Sequence, residues 1–342
     1  MPMALAVEDL QLGTMKHLLS IVTCVILVSL PLVKAQDSTS RQLAVRTELH
    51  QIQTLTLSDE QFLAGDEAGS KPVTVAGQLR IAQGTGRLPV VIMLHGAGGI
   101  TAAAETWSSQ FNEMGVSTFV LDGFTGRGLT NVGDNQALLG RLNAIVDAYR
   151  ALDILAKHPR VDPSRIVLMG FSRGAQATLY ASVKRFQRLW NKSGTEFAAY
   201  LPFYPDCSTT YLTDVDVVDR PIRIFHGTPD DQNPVAPCTA YVKRLRVVGR
   251  DVQLTEYPNA PHAFDNPLGG LTPVSRADLQ TVRHCVIREG PAGQLINAAT
   301  ERLFTYKDPC VERGEHTGYD PVATRAAHLA VSDFLRSVLK LP

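Results

Sequence analysis

Short apolar runs alternate with segments of helical periodicity along the middle of the sequence. Residues 88–95 form a run rich in valine and isoleucine, and residues 116–121 and 165–169 follow the same pattern. Between the last two runs, residues 135–157 carry apolar side chains at helical spacing. Strands separated by helices of this length form parallel pairs, since the crossover helix returns the chain to the same end of the sheet. The sequence therefore predicts an α/β fold with a mostly parallel central sheet and helices on both faces.

Other segments extend this pattern or interrupt it. Residues 36–86 are predicted to form antiparallel edge strands. Residues 267–318 break the alternation, and we expect them to form a loop-rich excursion that edges the functional site. The remaining predicted elements are helices over residues 102–114, 175–190, a stretch after 237, and 321–339, and strands over 197–203, 221–225 and 252–257.

The N-terminus has the features of a secretory signal peptide. Residues 18–33 are almost all apolar, Lys16 precedes them, and small or short residues around Ala35 suit cleavage after that position. The run is short for a membrane-spanning helix, which needs about 20 residues, and Pro31 interrupts it. Met1 and Met15 both stay open as the start. We expect a signal peptide over 1–35, one domain over 36–342 with no membrane span after cleavage, and a secreted or periplasmic location.

Charge and cysteine content indicate which kinds of partner and which covalent links we expect for this protein. The chain carries 33 basic and 33 acidic residues, so it has no electrostatic footprint for nucleic acid or an anionic membrane. No CxxC or HExxH motif occurs, and we expect neither a metal nor a cofactor. Four cysteines follow the signal peptide, and an even number in an oxidising compartment predicts two disulfides with three connectivities open. They are Cys207, Cys238, Cys285 and Cys310.

The strongest chemical signal is the pentapeptide Gly170-Phe171-Ser172-Arg173-Gly174. It lies between a predicted strand and a predicted helix, the context in which G-x-S-x-G holds a serine on a sharp turn with its hydroxyl above the sheet. The flanking glycines let strand and helix approach without a Cβ clash. The alternative is a glycine-rich turn with an inert serine, but the context favours Ser172 as a nucleophile.

A nucleophilic serine needs a base and an acid. His262 follows the last predicted strand of the sheet, where a neutral imidazole can accept the serine proton and later return it. Asp230 and Asp231 follow the strand before it, and a carboxylate there can hold the imidazole in the correct tautomer. We prefer Asp230, because it comes three residues after Gly227, where the turn should aim a side chain at His262. Asp231 is the alternative.

A glycine-rich turn follows the first strong strand and can supply backbone N–H groups to an oxyanion. The segment runs from His95 to Gly99. We expect the N–H of Ala97 or Gly98 to join the N–H of Arg173 as an oxyanion hole, where losing one donor typically costs about 3–4 kcal/mol. A phosphate-binding loop is a poor alternative, because neither GxGxxG nor GxxxxGK[ST] is present.

At this point the sequence resembles the dienelactone hydrolase-like branch of the α/β-hydrolase superfamily. The resemblance covers residues 77–342 and rests on LPVVIMLHGAGG, VDPSRIVLMGFSRGA, FHGTPDDQNPVAPC and YPNAPHAF. It implies the α/β-hydrolase fold, a triad of Ser172, Asp230 and His262, no cofactor, and hydrolysis of a small-molecule ester or related acyl substrate. The namesake enzymes use a cysteine nucleophile, so the serine here favours a general carboxylesterase over a dienelactone hydrolase.

The resemblance also suggests roles for the four cysteines and for Arg127. The strands before Cys207 and Cys238 should be neighbours, so these two cysteines are expected to pair, which leaves Cys285 to pair with Cys310 and staple the excursion. The loop bearing Arg127 should reach the crevice, where its guanidinium could bind a substrate carboxylate. An ion pair of Arg127 with Asp122 or Asp134 is the alternative that we favour.

Three functions are compatible with these sequence features. The first is an exported serine hydrolase that cleaves a carboxylic ester. The second is a peptidase or acyltransferase, because the same triad and acyl-enzyme chemistry serve all three activities. The third is a non-catalytic secreted binding protein that has kept the fold, which the intact triad argues against.

Overall fold

The computed structural model describes residues 46–341; the predicted signal peptide and its cleavage site lie outside this range. No helix within it combines the length and apolar character needed to cross a membrane. Within it the strands are β1 (Arg46–Thr56), β2 (Lys71–Ile81), β3 (Leu88–Leu94), β4 (Ser117–Asp122), β5 (Val161–Phe171), β6 (Ala199–Phe203), β7 (Thr209–Thr210), β8 (Ile222–Gly227), β9 (Val252–Tyr257), β10 (Val274–Thr281), β11 (Ile287–Glu289), β12 (Leu295–Asn297), β13 (Arg302–Leu303) and β14 (Glu312–Thr317). The α-helices are α1 (Asp59–Ala64), α2 (Ala102–Glu113), α3 (Asn143–Ala156), α4 (Arg173–Tyr180), α5 (Lys184–Trp190), α6 (Val235–Val247) and α7 (Pro321–Leu339).

Eight strands form the central sheet in the order β1-β2-β4-β3-β5-β6-β8-β9. β2 pairs antiparallel with both β1 and β4, whereas every other pair in this sheet is parallel. The predicted mostly parallel sheet is therefore confirmed. In a parallel sheet the carboxyl ends of the strands lie along one edge, so the loops after β3, β5, β8 and β9 meet there.

Side chains of the sheet are buried on both faces. Along β3, Val90, Ile92 and Leu94 belong to a core that includes residues of α3, α5 and α6. The alternate residues Val91 and Met93 belong to a second core that includes residues of α2 and α7. Burial on both faces explains why these strands are continuous apolar runs instead of alternating patterns, and it confirms helices on both faces.

Two predicted helices differ from the structure because other contacts interrupt them. The segment 135–157 begins as a short 3₁₀ turn, and α3 starts only at Asn143. The backbone N–H of Gln136 donates to the side chain of Gln280, 2.8 Å away, so the start of this segment is held against the excursion instead of continuing α3 toward its N-terminus. The segment 175–190 is divided into α4 and α5 where Val183 pairs with Val217.

The excursion, residues 267–318, is more regular than the loop-rich segment that we predicted. β10 and β14 form an antiparallel pair, and β11, β12 and β13 join β7 in a four-stranded sheet. Apart from β10 and β14 these strands have two or three residues each, which is too short to show a hydrophobic period.

Two disulfides tie the excursion and the segment after β6. Cys207 is bonded to Cys238 at the start of α6, and Cys285 is bonded to Cys310 within the excursion. These are the pairs that the sequence analysis favoured. They close loops with sequence separations of 31 and 25 residues, each of which contributes about 3–4 kcal/mol in the chain-entropy description.

Arg127 joins the edge strand β1 to the helix layer. Its guanidinium forms a bidentate ion pair with Asp147 of α3, at 2.7 and 2.9 Å. The remaining donors bind the carbonyls of Gly123 and Leu55 and the hydroxyl of Thr56. All five N–H donors are used inside the protein, which leaves none for a substrate carboxylate. The ion pair is thus with Asp147, and neither acidic partner considered from the sequence provides it.

Substitution of Asp147 tests this buried pair. Asp147→Ala would leave a buried guanidinium without its counter-charge, and we expect the free energy of unfolding in urea to fall by about 3–5 kcal/mol. Asp153→Ala on the same helix removes the exposed pair with Lys157 and should cost under about 1 kcal/mol. Similar losses for the two variants would contradict a special role for the Arg127 pair.

Candidate active site

Ser172 lies on the turn between β5 and α4. Its φ of 52° and ψ of −115° are unfavourable for a residue with a Cβ. The turn is tight because a Cβ at Gly170 would come within 2.3 Å of the Gly174 carbonyl, and one at Gly174 within 2.4 Å of the Leu94 carbonyl. Only glycine permits this approach of three backbones. The strained turn directs the Ser172 hydroxyl outward, beyond the carboxyl end of the sheet.

His262 lies beside this hydroxyl in the loop after β9. Its Nε2 is 3.0 Å from the Ser172 Oγ. The loops after β8 and β9 meet closely, because a Cβ at Gly227 would come within 1.8 Å of the Ala260 carbonyl. The main-chain carbonyl of His262 also accepts a hydrogen bond from Gly318 at the end of the excursion. The imidazole is thus held from two sides.

Asp230 completes the chain of hydrogen bonds. Its Oδ2 lies 2.8 Å from His262 Nδ1, and its Oδ1 accepts the backbone N–H groups of Gln232 and Asn233 at 3.0 and 2.8 Å. Burial alone would raise the pKa of the Asp230 carboxyl, but the adjacent imidazoles of His262 and His226 outweigh it and hold that pKa below its usual range. The carboxylate therefore stays ionised, accepts the Nδ1 proton and leaves the Nε2 lone pair facing Ser172.

Asp231 points elsewhere. Its Oδ2 lies 2.9 Å from Nδ1 of His316, and its Oδ1 accepts the backbone N–H of the same residue at 2.8 Å. Arg283 lies 3.5 Å from the carboxylate. Asp231 thus connects the loop after β8 to the excursion, while Asp230 faces the imidazole.

A buried polar cluster supports His262 from below, and sequence reasoning missed it. The ring of Tyr204 lies edge-on to the imidazole with centroids 4.8 Å apart. Its hydroxyl donates to Asp265 at 2.6 Å, and the indole N–H of Trp107 donates to the other oxygen at 2.7 Å. Burial raises the pKa of the Asp265 carboxyl, although both hydrogen bonds oppose that effect. The only sequence signal was the position of Asp265, three residues after His262.

The turn after β3 packs against Ser172. His95 Nδ1 donates to the carbonyl of Gly96 at 2.8 Å, and its Nε2 accepts from the N–H of Gly123 at 3.1 Å. Burial lowers the pKa of His95, which favours the neutral ring that this pairing requires. Within residues 46–341 the backbone N–H groups of Ala97 and Arg173 donate no hydrogen bond to the protein. They are therefore free to serve an oxyanion.

A pocket of about 130 Å³ opens over Ser172. Leu279, Gln280 and Thr317 of the excursion form part of its wall, as expected for a segment that edges the site. The main-chain carbonyl of Gln280 accepts the side-chain amides of Gln136 and Gln232 at 2.7 and 3.1 Å. These hydrogen bonds fix the excursion against the loop after β8 and the segment before α3, and the sequence carried no motif that marked these glutamines.

One group of described residues has the side chains of a metal site. Glu48, His50 and His158 present ligand atoms within 4.8 Å of one another. The group lies on β1 and after α3, and none of its members lines the pocket over Ser172. Nδ1 of His158 accepts the backbone N–H of Arg160 at 3.2 Å, so Nε2 carries the proton and donates to Glu48 at 3.0 Å. The group is thus satisfied by its own hydrogen bonds.

Comparison with known proteins agrees with this fold. A profile of the dienelactone hydrolase family matches residues 75–285. No curated protein matches the sequence significantly. Among solved structures, the chain resembles the dienelactone hydrolase-like promiscuous phosphotriesterase P91 from metagenomic libraries, at 17% identity and a TM-score of 0.53, over 85% of this chain and 98% of that one.

It also resembles the protein m3DLH, at 18% identity and a TM-score of 0.55, with the same coverage of 85% and 98%. At such identities the likeness shows the fold, while the family profile spans more than half of the sequence. The chain therefore belongs to the dienelactone hydrolase family of α/β-hydrolases and is an enzyme that hydrolyses esters.

Proposed function

We propose that the protein is an exported serine hydrolase that cleaves small carboxylic esters through an acyl-enzyme on Ser172. The observation that carries the proposal is the continuous path from Ser172 Oγ to His262 Nε2, at 3.0 Å, and from His262 Nδ1 to Asp230 Oδ2, at 2.8 Å. A serine, a base and an oriented carboxylate at these distances are the parts that acyl transfer needs.

In the first half-reaction, Ser172 Oγ attacks the ester carbonyl carbon while its proton passes to His262 Nε2. The carbonyl oxygen becomes an oxyanion, and the N–H groups of Arg173 and of Ala97 or Gly98 stabilise it. The C–O bond to the alcohol then breaks, and His262 returns the proton to the leaving oxygen. Asp230 remains ionised and stabilises the imidazolium.

In the second half-reaction, water replaces the alcohol. His262 Nε2 takes a proton from the water as its oxygen attacks the acyl carbon, and the same N–H groups hold the second oxyanion. The bond to Ser172 Oγ breaks, the serine regains its proton from His262, and the carboxylic acid leaves. Dienelactone is not the substrate that we favour, since the namesake enzymes of the family use a cysteine nucleophile.

Export is supported by two independent features. Two disulfides suit an oxidising compartment, and the first 35 residues have the sequence of a signal peptide. We propose that residues 36–342 remain after cleavage as one domain, with the excursion stapled by the bond between Cys285 and Cys310.

Export has a direct test. We expect a protein expressed with its own N-terminus to appear outside the cytoplasm of a bacterial host with Gln36 as its first residue. Ala35→Arg should block cleavage, because signal peptidase requires a small residue at that position. N-terminal sequencing of the mature protein measures both, and a cytoplasmic protein with an intact N-terminus would contradict export.

Ser172 should be the residue that reacts with a fluorophosphonate probe. We expect Ser172→Ala to lose labelling and to reduce kcat for p-nitrophenyl acetate by about 10⁴- to 10⁶-fold, because the nucleophile is removed. Ser275→Ala, an exposed serine on β10, is the control and should keep both. Labelling at another serine would contradict the assignment.

The same pair of proteins separates the alternative functions. An esterase hydrolyses p-nitrophenyl esters faster than aminoacyl amides, a peptidase shows the opposite preference, and an acyltransferase forms more ester product as an alcohol acceptor is added. A biological activity that Ser172→Ala leaves unchanged would indicate a non-catalytic protein.

The two adjacent aspartates allow a matched test of the acid. Asp230→Asn leaves the size of the side chain unchanged but disturbs the tautomer of His262, so kcat should fall by about 10⁴-fold. Asp231→Asn disturbs the contacts with His316 and Arg283 but none with His262, and kcat should stay within about threefold of the wild type. A larger loss of kcat for the Asp231 variant would reverse the assignment.

A further inference from the structure

A second cavity adjoins the pocket over Ser172. It has a volume of about 330 Å³ and lies between β2 and the start of α2. Thr101, Ala104 and Val120 line both cavities, so the two cavities lie side by side. We call the second cavity the β2 groove, and its own walls include Leu49, Ala76, Gln78, Arg80 and Ile100.

The position of the groove in the sheet decides which part of an ester can enter it. In the strand order, β3, β4 and β2 lie on one side of β5, which carries Ser172, and β6, β8 and β9 lie on the other. The loops after β8 and β9 carry Asp230 and His262. The groove and the proposed base are therefore on opposite sides of the nucleophile.

The path of the proton then decides on which side of Ser172 the alcohol and the acyl group of the ester lie. The leaving oxygen must lie within reach of His262 Nε2 to accept its proton, so the alcohol arm occupies the side formed by the loop after β9 and the excursion. The acyl arm extends from the other side of the carbonyl carbon. That direction leads past Met93 and Val120 into the β2 groove.

The groove combines apolar surface with two carboxylates, Glu105 and Asp122, and Asp122 accepts two backbone N–H groups. This lining suits an uncharged chain better than an anionic one. Ala76 and Ile100 present apolar surface, and Leu49 stands at the outer end with 80% of its surface exposed. Arg80 carries the one basic side chain among the lining residues, and Glu105 neutralises it through two hydrogen bonds of 2.6 Å. A free carboxylate at the end of the chain would thus find no unpaired cation.

The geometry points to the aliphatic acyl chain of a medium-length fatty ester as the ligand of the β2 groove. This inference rests on the proposed function, because it needs an acyl group attached to Ser172. From β5 to β2 the sheet crosses three strand spacings, roughly 14 Å in all, which is about the reach of a ten-carbon chain.

Obstruction of the groove far from Ser172 tests the inference. Ala76→Trp fills the groove from the exposed face of β2, and kcat/KM for p-nitrophenyl decanoate should fall at least about tenfold, because each methylene that loses its burial removes a factor of about four. The rate with p-nitrophenyl acetate should change by less than about twofold, since its acyl group is too short to reach Ala76. The acetate rate also reports that the variant is folded.

Thr74→Trp is the matched control. Thr74 is exposed two residues earlier on β2, on the same face, and does not line the groove. It should leave both rates unchanged. Equal rates for Ala76→Trp and wild type on p-nitrophenyl decanoate would overturn the groove assignment but not the proposed function. A loss of rate on decyl acetate alone would also overturn it, because it would place the alcohol chain in the β2 groove. A wild-type protein that cleaves no ester would overturn the proposed function itself.

Discussion

The contact of three backbones beneath Ser172 is the constraint on which the rest of the site depends. β5, α4 and the end of β3 approach so closely at Gly170 and Gly174 that no side chain fits between them. This contact fixes the height of the serine above the sheet and holds its backbone in an unfavourable conformation. Because the His95–Gly99 turn begins where β3 ends, the same contact also sets the distance from Ser172 to the backbone N–H groups of Ala97 and Arg173.

The positions of His262 and Asp230 depend on a second set of contacts, between the loops after β8 and β9. Asp230 is held by two backbone N–H groups, so its carboxylate has one oxygen left for His262. The ring of Tyr204 and the buried Asp265 support the imidazole from the core side. Asp230 bonds directly to Nδ1 of His262, whereas Asp265 is bound by Tyr204 and Trp107 and reaches the imidazole through the Tyr204 ring.

The sequence predicted the parallel sheet, the turn at Ser172 and the order of the three proposed triad residues, because each depends on local spacing. It did not reveal Tyr204, Asp265 or the three glutamines of the pocket wall. These act through contacts between segments far apart in the chain, such as Trp107 with Asp265, which are 158 residues apart. The same reason explains Arg127: its loop was placed correctly after β4, but the partner on α3 depends on how the helix packs against β1.

The excursion begins and ends at almost the same place on the domain. Its two ends are joined where Tyr319 donates to Gly270 and Asp320 donates to Phe264, at 2.8 and 2.9 Å. A segment that closes on itself can lengthen, shorten or exchange its strands while α7 and the sheet keep their positions. Because it supplies one wall of the pocket and none of the proposed triad, a change in its length would reshape the pocket and leave the three proposed triad residues on their own loops.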